Sequence, residues 1–190
     1  MTARRVIKVG GSCLSSPDLP QKLAQLLRSN SASQNLLIVG GGKCIDAMRD
    51  LDQRFDLDQT RMHWRCVTLL RSSFEVLGEL VPSLITITTP DHLRALLAAP
   101  PVANNYLLAV ETFYNPQSSR NSRLPVGWQT TTDSIAAYLA KLSDADELWI
   151  LKSCVVKTTD PQQLSQAGII DQAFTDALAP TLKLKIITFP

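Results

Sequence analysis

The chain has 190 residues, 45% of them hydrophobic, which suits one domain with a sizeable core. Its 19 Lys and Arg residues against 17 Asp and Glu leave a net charge of +2, too small to indicate a nucleic acid or an acidic surface as partner. Because there is no signal-peptide pattern and no run of about 18 apolar residues, we expect a cytoplasmic protein without a membrane partner. The 4 cysteines are widely spaced and form no CxxC pair, which predicts free thiols rather than a zinc site or a disulfide framework.

Short apolar runs rich in branched residues predict six strands, at residues 5–9, 36–39, 84–88, 106–110, 147–151 and 184–189. Helical patterns separate most of them, at 19–28, 45–54, 62–81, 91–97, 134–142 and 169–178. This alternation is typical of a parallel sheet covered on both faces, so the predicted fold class is α/β. The polar segment 113–128 carries two prolines and predicts a long surface loop of the kind that often covers a site.

The first two predicted strands each run into glycines. The stretches VIKVGGSCL and LLIVGGGKC contain five of the 8 glycines: Gly10, Gly11, Gly40, Gly41 and Gly42. Backbone N–H groups exposed by glycine at the carboxyl ends of parallel strands make a positive concavity for phosphate or carboxylate. If the two strands are neighbours in the sheet, one loop faces a donor phosphate and the other an acceptor. The alternative interpretation is a pair of tight turns without a ligand.

Two named phosphate motifs are excluded at these glycines. The nucleotide P-loop GxxxxGK[ST] needs glycine at position 37 and Ser or Thr at position 44, where the chain has Leu37 and Cys44. A dinucleotide GxGxxG fingerprint started at Gly40 would place its third glycine on Ile45. A Rossmann-type dinucleotide-binding protein is therefore disfavoured.

Two charged residues accompany the glycine loops. Lys8 interrupts the apolar pattern of the first strand, two residues before Gly10, and could place a cation beneath a transferring phosphoryl group. The alternative is a strand-edge lysine that reaches solvent. Asp133 follows Thr131 and Thr132, either of which can cap the next helix. Its carboxylate either complements the helix dipole alone or orients Lys8 and a second lysine by ion pairing.

Other polar residues leave their roles open. His63, on the long predicted helix, is either a ligand or a side chain hydrogen-bonded to a neighbour. Lys43, Arg120 and Arg123 either contact an anionic acceptor or are solvated surface charges.

Three motifs taken together resemble a known family. KVGGS at 8–12, VGGGK at 39–43 and TTDSIAAYLA at 131–140 are similar in order and spacing to the amino acid kinase superfamily, which includes acetylglutamate, aspartate, uridylate and isopentenyl phosphate kinases. The resemblance implies a three-layer α/β/α sandwich with a mostly parallel central sheet. It also implies a single domain over 1–190, with an acceptor-binding part at about 1–130 and a reduced nucleotide-binding part at about 131–190.

The resemblance implies an activity and an assembly as well. The expected reaction is ATP-dependent phosphoryl transfer to a phosphate or carboxylate oxygen of a small anionic metabolite. The cofactors would be ATP and Mg²⁺, with no metal ligands among the protein's own side chains, and the assembly would be a homo-oligomer.

Individual roles follow from the motif match. Lys8 would stabilise the transferred phosphoryl group, Asp133 would organise the lysines, and Lys152 would reach the nucleotide phosphates. The residues expected to bind ATP, besides Lys152, are Gly10, Gly11 and Ser12. Those expected to bind the acceptor are Gly40, Gly41, Gly42, Lys43, Trp128 and Thr132.

Within the superfamily, two features look most like the small kinase of the methanofuran pathway. They are Trp128, shortly before the TTDSIAA helix, and the segment GIIDQAF at 168–174. The acceptor expected from this likeness is an aminomethylfuran phosphate.

One stretch departs from the superfamily pattern. LKSCVVKTTDP at 151–161 lacks the central Asp-Gly of the TDVDGVYxxDP-like stretch that shapes the nucleotide site, and no later lysine follows a Gly-Met-like turn near Gly168. These departures favour an alternative function, a non-catalytic ligand-binding or regulatory relative of the kinases.

Overall fold

The computed structural model describes residues 2–189, which form a six-stranded sheet with helices on both faces. The strands are β1 (Arg4–Val9), β2 (Gln34–Val39), β3 (Ile85–Ile87), β4 (Asn104–Leu108), β5 (Glu147–Lys152) and β6 (Lys183–Thr188). Their order is β3-β4-β2-β1-β5-β6, and every neighbouring pair is parallel. The predicted α/β/α sandwich is therefore confirmed, and the two glycine-ended strands β1 and β2 are neighbours.

Helices connect the strands and begin at recognisable signals. They are α1 (Leu19–Arg28), α2 (Lys43–Phe55), α3 (Gln59–Leu80), α4 (Pro90–Ala98), α5 (Thr132–Leu142), α6 (Pro161–Gln166) and α7 (Phe174–Ala177). The side chains of Asp58, Thr89 and Asp160 cap α3, α4 and α6 by accepting a hydrogen bond from a first-turn amide. Within residues 2–189, none of these helices is long and apolar enough to cross a bilayer.

The helix predicted over 169–178 is wrong, since only Phe174–Ala177 of that range is α-helical. Gly168, with a left-handed φ of 66°, follows α6 and breaks the helical path. The carboxylate of Asp171 then accepts hydrogen bonds from the backbone and hydroxyl of Thr131, far away in the chain. Tertiary contacts thus outweigh a local pattern that favours helix.

The sheet separates two hydrophobic cores, and successive residues of β1 point alternately into one core and into the other. Val6 packs in one core, together with residues of α5, while Ile7 and Val9 pack in the other core with α1. By this alternation Lys8 lies on the same face as Val6, at the carboxyl end of the strand. The pleat therefore directs its ammonium group toward α5.

The segment 113–128 is less exposed than a surface loop. Phe113 and Tyr114 at its start are buried, and Tyr114 has no exposed surface. At its other end, Gly127 and Trp128 reach the carboxyl edge of the sheet and line a cavity there. The segment is thus anchored in the core at its start and lines a cavity at its end, and its covering of a functional site stays a prediction.

Candidate active site

The two glycine loops pack directly against each other at the carboxyl edge of the sheet. A side chain on Gly11 would bring its Cβ to 2.1 Å from the backbone nitrogen of Gly42, and Gly42 has a left-handed φ of 53°. No other residue fits this contact without moving the backbone. The close approach of the two loops is therefore one reason for the glycines, independent of any ligand.

Two of the five glycines use their amides within the protein. The Gly10 N–H donates to the carbonyl oxygen of Leu151 at 2.9 Å, and the Gly40 N–H donates to that of Val9 at 2.9 Å. These bonds extend the strand pairing by one residue. Gly40 thus lines a cavity at this edge of the sheet whereas Gly10 does not, and both N–H groups are already bonded within the protein, so the Gly10 amide has no N–H left for ATP.

The other three glycine amides are free to bind a ligand. Among the described residues, the N–H groups of Gly11, Gly41 and Gly42 donate to no protein acceptor, and all three glycines line one cavity. Gly42 is also the N-cap residue of α2, and among the described residues the first-turn N–H groups of Lys43 and Cys44 donate to no protein acceptor. The loops and this helix end together form a concavity with free amides, and its binding of an anion stays a prediction.

Three buried charges form the centre of the site, which we call the lysine–aspartate cluster: Lys8, Asp133 and Lys152. Lys8 Nζ lies 2.9 Å from Asp133 Oδ1, and Lys152 Nζ donates to Asp133 Oδ2 at 2.6 Å. The side chains are only 6%, 4% and 13% exposed, respectively. Two cations share one carboxylate, so the cluster has a net charge of +1 in a largely dry environment.

The electrostatics of the cluster follow from this shared carboxylate. Burial acts to raise the pKa of Asp133, but the ammonium groups of Lys8 and Lys152 outweigh burial, and the pKa lies below its ordinary value. Burial and the neighbouring Lys8 lower the pKa of Lys152, and Asp133 opposes them. The carboxylate is thus held ionised between its two lysines.

Two hollows meet at the cluster. The inner cavity, of about 240 Å³, is bounded by Lys8 and the glycine loops on one side and by apolar side chains on the other. Its apolar lining comes from Ile45, Val67, Leu70 and Ile135. The outer cleft, of about 680 Å³, is bounded by all three cluster residues and by residues 168–172. Since Lys8 borders both hollows, a group bound in either one can reach its ammonium.

Trp128 lies where the two hollows meet, since it lines both. Its indole Nε1 donates to Asp52 Oδ2 at 2.6 Å, and the Arg49 guanidinium lies 4.8 Å from the ring centre. Asp52 is 8% exposed, and hydrogen bonds from Gln59 and then Trp128 lower its pKa. Helix α2 thereby fixes the indole in place.

The structure supports the second of the two interpretations of His63. Its Nε2 lies 2.9 Å from the Tyr114 hydroxyl, and its Nδ1 lies 3.1 Å from the carbonyl oxygen of Gly127. Burial lowers the pKa of His63, against the effect of the Gly127 carbonyl. A neutral imidazole with both nitrogens engaged holds segment 113–128 against α3, although the ring also borders the inner cavity.

The remaining predicted residues divide into two groups. Ser12 and Thr132 line the inner cavity. Lys43, Arg120 and Arg123 are exposed and border neither the inner cavity nor the outer cleft. The structure thus brings the first two to the site and leaves the three basic side chains at the surface.

Sequence reasoning missed two acids near the site. Asp171 lies in the GIIDQAF segment, where the resemblance was the only available signal. No local sequence pattern distinguishes Asp52 from an ordinary surface acid of an amphipathic helix. The contacts of Asp171 with Thr131 and of Asp52 with Trp128 are tertiary, although Asp52 also accepts local hydrogen bonds from Leu57 and Gln59.

Comparison with solved structures shows which proteins have this fold. UMP kinase from Ureaplasma parvum is 14% identical, with a TM-score of 0.69 over 100% of this chain and 91% of that one. Uridylate kinase from Archaeoglobus fulgidus is 18% identical, with a TM-score of 0.65 over 97% and 90% of the two chains. Aspartate kinase from Synechocystis is 17% identical, with a TM-score of 0.61 over 96% of this chain but only 38% of that one. No protein-family model and no curated protein sequence matches the chain.

Proposed function

We propose that this protein is an ATP-dependent kinase that transfers a phosphoryl group to a phosphate or carboxylate oxygen of a small anionic metabolite. The observation that carries the proposal is the lysine–aspartate cluster, in which Asp133 holds Lys8 and Lys152 where two hollows meet. A fold shared with uridylate and aspartate kinases supports it. Two hollows with a buried positive charge between them suit a donor and an acceptor that exchange an anionic group.

In the proposed reaction, an acceptor oxygen in the inner cavity attacks the γ-phosphorus of ATP held in the outer cleft. The bond from the γ-phosphorus to the bridging oxygen breaks, and ADP leaves with that electron pair. Because charge spreads over the oxygens of the moving group, the ammonium of Lys8 stabilises the transition state. Lys152 stabilises the donor phosphates, and Asp133 keeps both lysines in place, so no covalent enzyme intermediate is needed.

The donor would be held mainly by Lys8 and Lys152, whose ammonium groups border the outer cleft and suit phosphate oxygens. Gly11 and Ser12 line the inner cavity instead, so the free N–H of Gly11 would reach only the transferred phosphoryl group beside Lys8. Within residues 2–189, no three His, Cys, Asp or Glu side chains converge to hold a metal, and both oxygens of Asp133 face lysines. Mg²⁺ would therefore arrive on the phosphates of ATP, where it neutralises their charge.

The inner cavity supports a compact acceptor with one anionic group. Gly41, Gly42 and Lys8 would bind the anion, the apolar wall would contact a short body such as a small ring, and Asp46, also in the lining, would face an amine on that body. No Arg side chain lines this cavity within the described residues, which disfavours an acceptor with a second carboxylate. An aminomethylfuran phosphate fits this description, since a phosphate monoester with a small ring would become a diphosphate.

We propose further that the protein assembles as a homo-oligomer. Val76 and Leu80 on α3 and Ile85 on the edge strand β3 are 47%, 41% and 42% exposed. Exposed apolar residues at a sheet edge favour pairing with another chain. Light scattering after size exclusion tests this, and a monomer at micromolar concentration would contradict it.

A second candidate function is that of a ligand-binding protein without turnover. The observation that favours it is the stretch after β5, where residues 153–160 have no helix or strand to shape a nucleotide site. Such a protein would keep the anion-binding loops and lose productive binding of ATP.

Calorimetry with Mg-ATP separates the two functions. The kinase proposal expects saturable binding below millimolar concentration, and ADP release when an acceptor with one anionic group, such as aminomethylfuran phosphate, is added. No nucleotide binding at millimolar concentration contradicts the kinase proposal and favours the second function. Lys141→Ala, an exposed lysine outside both hollows, is the control for non-specific charge effects.

A further inference from the structure

Asp171 lies between α6 and α7, yet its carboxylate contacts the start of α5. Its Oδ2 accepts hydrogen bonds from the Thr131 N–H at 2.8 Å, the Thr131 hydroxyl at 2.7 Å and the Ser134 N–H at 3.1 Å. Its Oδ1 accepts a short hydrogen bond from the Ser134 hydroxyl. One carboxylate thus takes four hydrogen bonds from residues on either side of Asp133.

These bonds determine how the helix start is capped. The Thr131 hydroxyl has a single proton, which it donates to Asp171, so its oxygen is oriented to accept from the Asp133 N–H at 3.4 Å. Without this acid, the hydroxyl would be free to rotate. Asp171 therefore fixes both the cap of α5 and the backbone at Asp133.

The helix start also needs a negative charge that Asp133 does not supply. The first turn of a helix has unpaired N–H groups and a positive dipole end. Asp133 is the acid in the first turn of α5, but both of its oxygens face lysines. The charge that compensates the helix start comes from Asp171 instead.

We propose that Asp171 is a positioning residue for phosphoryl transfer, which caps helix α5 from a distant segment and so holds Asp133 between Lys8 and Lys152. The proposal rests on the kinase function proposed above. Asp171 does not serve as a metal ligand or a base, because protein donors already occupy both of its oxygens. It acts through Asp133, whose placement sets the positions of both lysines.

The position of Asp171 also connects the donor side to the cluster. Residues 168–172 form one wall of the outer cleft, and Asp171 belongs to that wall. Removal of its carboxylate would release this wall and the start of α5 from each other. Since small displacements of catalytic groups are costly in rate, the effect should appear in kcat rather than in the affinity for ATP.

Steady-state kinetics test the proposal with three variants. We expect Asp171→Ala to lower kcat about 100-fold, with the KM for Mg-ATP changed by less than about threefold. Asp171→Asn should lie between the wild type and Asp171→Ala, because asparagine keeps an N-cap acceptor but supplies no charge to the helix start. Asp176→Ala is the matched control, since Asp176 is an exposed acid of the same segment that borders neither hollow. Unchanged kcat in Asp171→Ala, or an Asn variant as slow as the Ala variant, would overturn the proposal.

Amide hydrogen exchange provides a readout that does not depend on turnover. We expect Asp171→Ala to speed exchange at Asp133 and Ser134, while Asp171→Asn speeds it less and Asp176→Ala leaves it as in the wild type. If the Asp171→Ala protein is too unstable to study, Thr131→Val removes the hydroxyl that links Asp171 to the Asp133 N–H. This variant should speed amide exchange at Asp133 alone. If the Asp133 amide exchanges as slowly as in the wild type in both Asp171→Ala and Thr131→Val, the proposal that Asp171 caps α5 is wrong. An inactive wild type with the expected exchange pattern would contradict the kinase function but retain the cap.

Discussion

Strands β1 and β5 have buried charges at both ends, and the two ends differ in how those charges are balanced. At the amino end, Arg5 donates to Glu147 at 2.8 Å and to Asn35 at 3.2 Å, and its guanidinium lies 3.9 Å from the ring centre of Trp149. Its neighbour Arg4 donates to Gln34 and to backbone carbonyl groups, and although burial lowers the pKa of Arg4, the carboxylates of Asp144 and Asp146 oppose that effect. Every charged head group there has a protein partner.

At the carboxyl end the charges are not balanced. Lys8 and Lys152 share a single carboxylate, and the neighbouring amides of Gly11, Gly41 and Gly42 have no protein acceptor among the described residues. Both hollows border this end of the strands, whereas none of the charged residues of the amino end lines them.

The contrast distinguishes two uses of buried charge. A closed network such as that of Arg5 and Glu147 holds the fold, and it borders neither hollow where a ligand could bind. A cluster with excess positive charge and free amides beside a hollow lacks an anion, which a substrate can supply. Variants at the two ends should therefore fail in different ways.

The largest effect is expected from Lys8→Ala. The loss of the ammonium beneath the transferred group should lower kcat by about 10³-fold. The fold should persist, because Asp133 keeps Lys152 as its partner. Coupled ADP release and circular dichroism measure the two quantities, with Lys141→Ala as the control. Activity within tenfold of wild type would remove Lys8 from the catalytic role.

Asp133→Asn should impair both turnover and stability. Two buried ammonium groups would face each other without a carboxylate, and breaking a buried ion pair costs about 3–5 kcal/mol. Urea unfolding measures this loss, and kcat should fall about 100-fold because the lysines move. Addition of Lys152→Met should restore much of the stability but none of the turnover. A double variant as unstable as Asp133→Asn would contradict this interpretation.

Arg5→Met should produce the opposite pattern, with lower stability and normal turnover. Arg5 is 9% exposed at its side chain, but Glu147 is 19% exposed and has Lys185 Nζ 3.7 Å away as a substitute partner. The loss should therefore be about 2–3 kcal/mol, below that of a fully buried pair. Urea unfolding and kcat per folded molecule are the measurements. A loss of kcat greater than tenfold would break the distinction between the two ends.

The smallest effect is expected in the way the free energy of unfolding depends on pH, through the titration of Lys152. Burial and Lys8 hold its pKa below the value of about 10.4 expected in the unfolded chain. Between these two pKa values the unfolded state binds more protons, so the free energy of unfolding rises with pH in that window. Lys152→Met should lack this rise. Urea unfolding at several pH values up to about 10 compares the two proteins, and parallel curves would show that the pKa of Lys152 is not lowered.

The sequence predicts most of the fold, because the central strands are short runs that are buried on both faces. β1 and β2, for example, are buried over their whole length. The helix over 169–178 could not be excluded from local pattern, since the bonds that oppose it come from Thr131. Hydrophobic periodicity describes how a segment would pack by itself, and it carries no information about a hydrogen-bond partner in another part of the chain.

The candidate site, too, could be predicted from the sequence only in part. Lys8 and Asp133 could be paired in advance because one breaks a strand pattern and the other opens a helix. Which glycine amides remain free could not be predicted, since the partners of Gly10 and Gly40 depend on the register of the sheet. The role of Asp52 depends on where segment 113–128 places Trp128.

The most direct test of the central claim is ³¹P NMR of Mg-ATP mixed with aminomethylfuran phosphate and the wild-type protein. We predict that the ATP signals convert to those of ADP while the monoester signal is replaced by a pair of diphosphate signals. Lys8→Ala should leave the spectrum unchanged over the same time. If the ATP signals stay unchanged with the wild-type protein across a panel of phosphate and carboxylate acceptors, the proposed kinase function is contradicted.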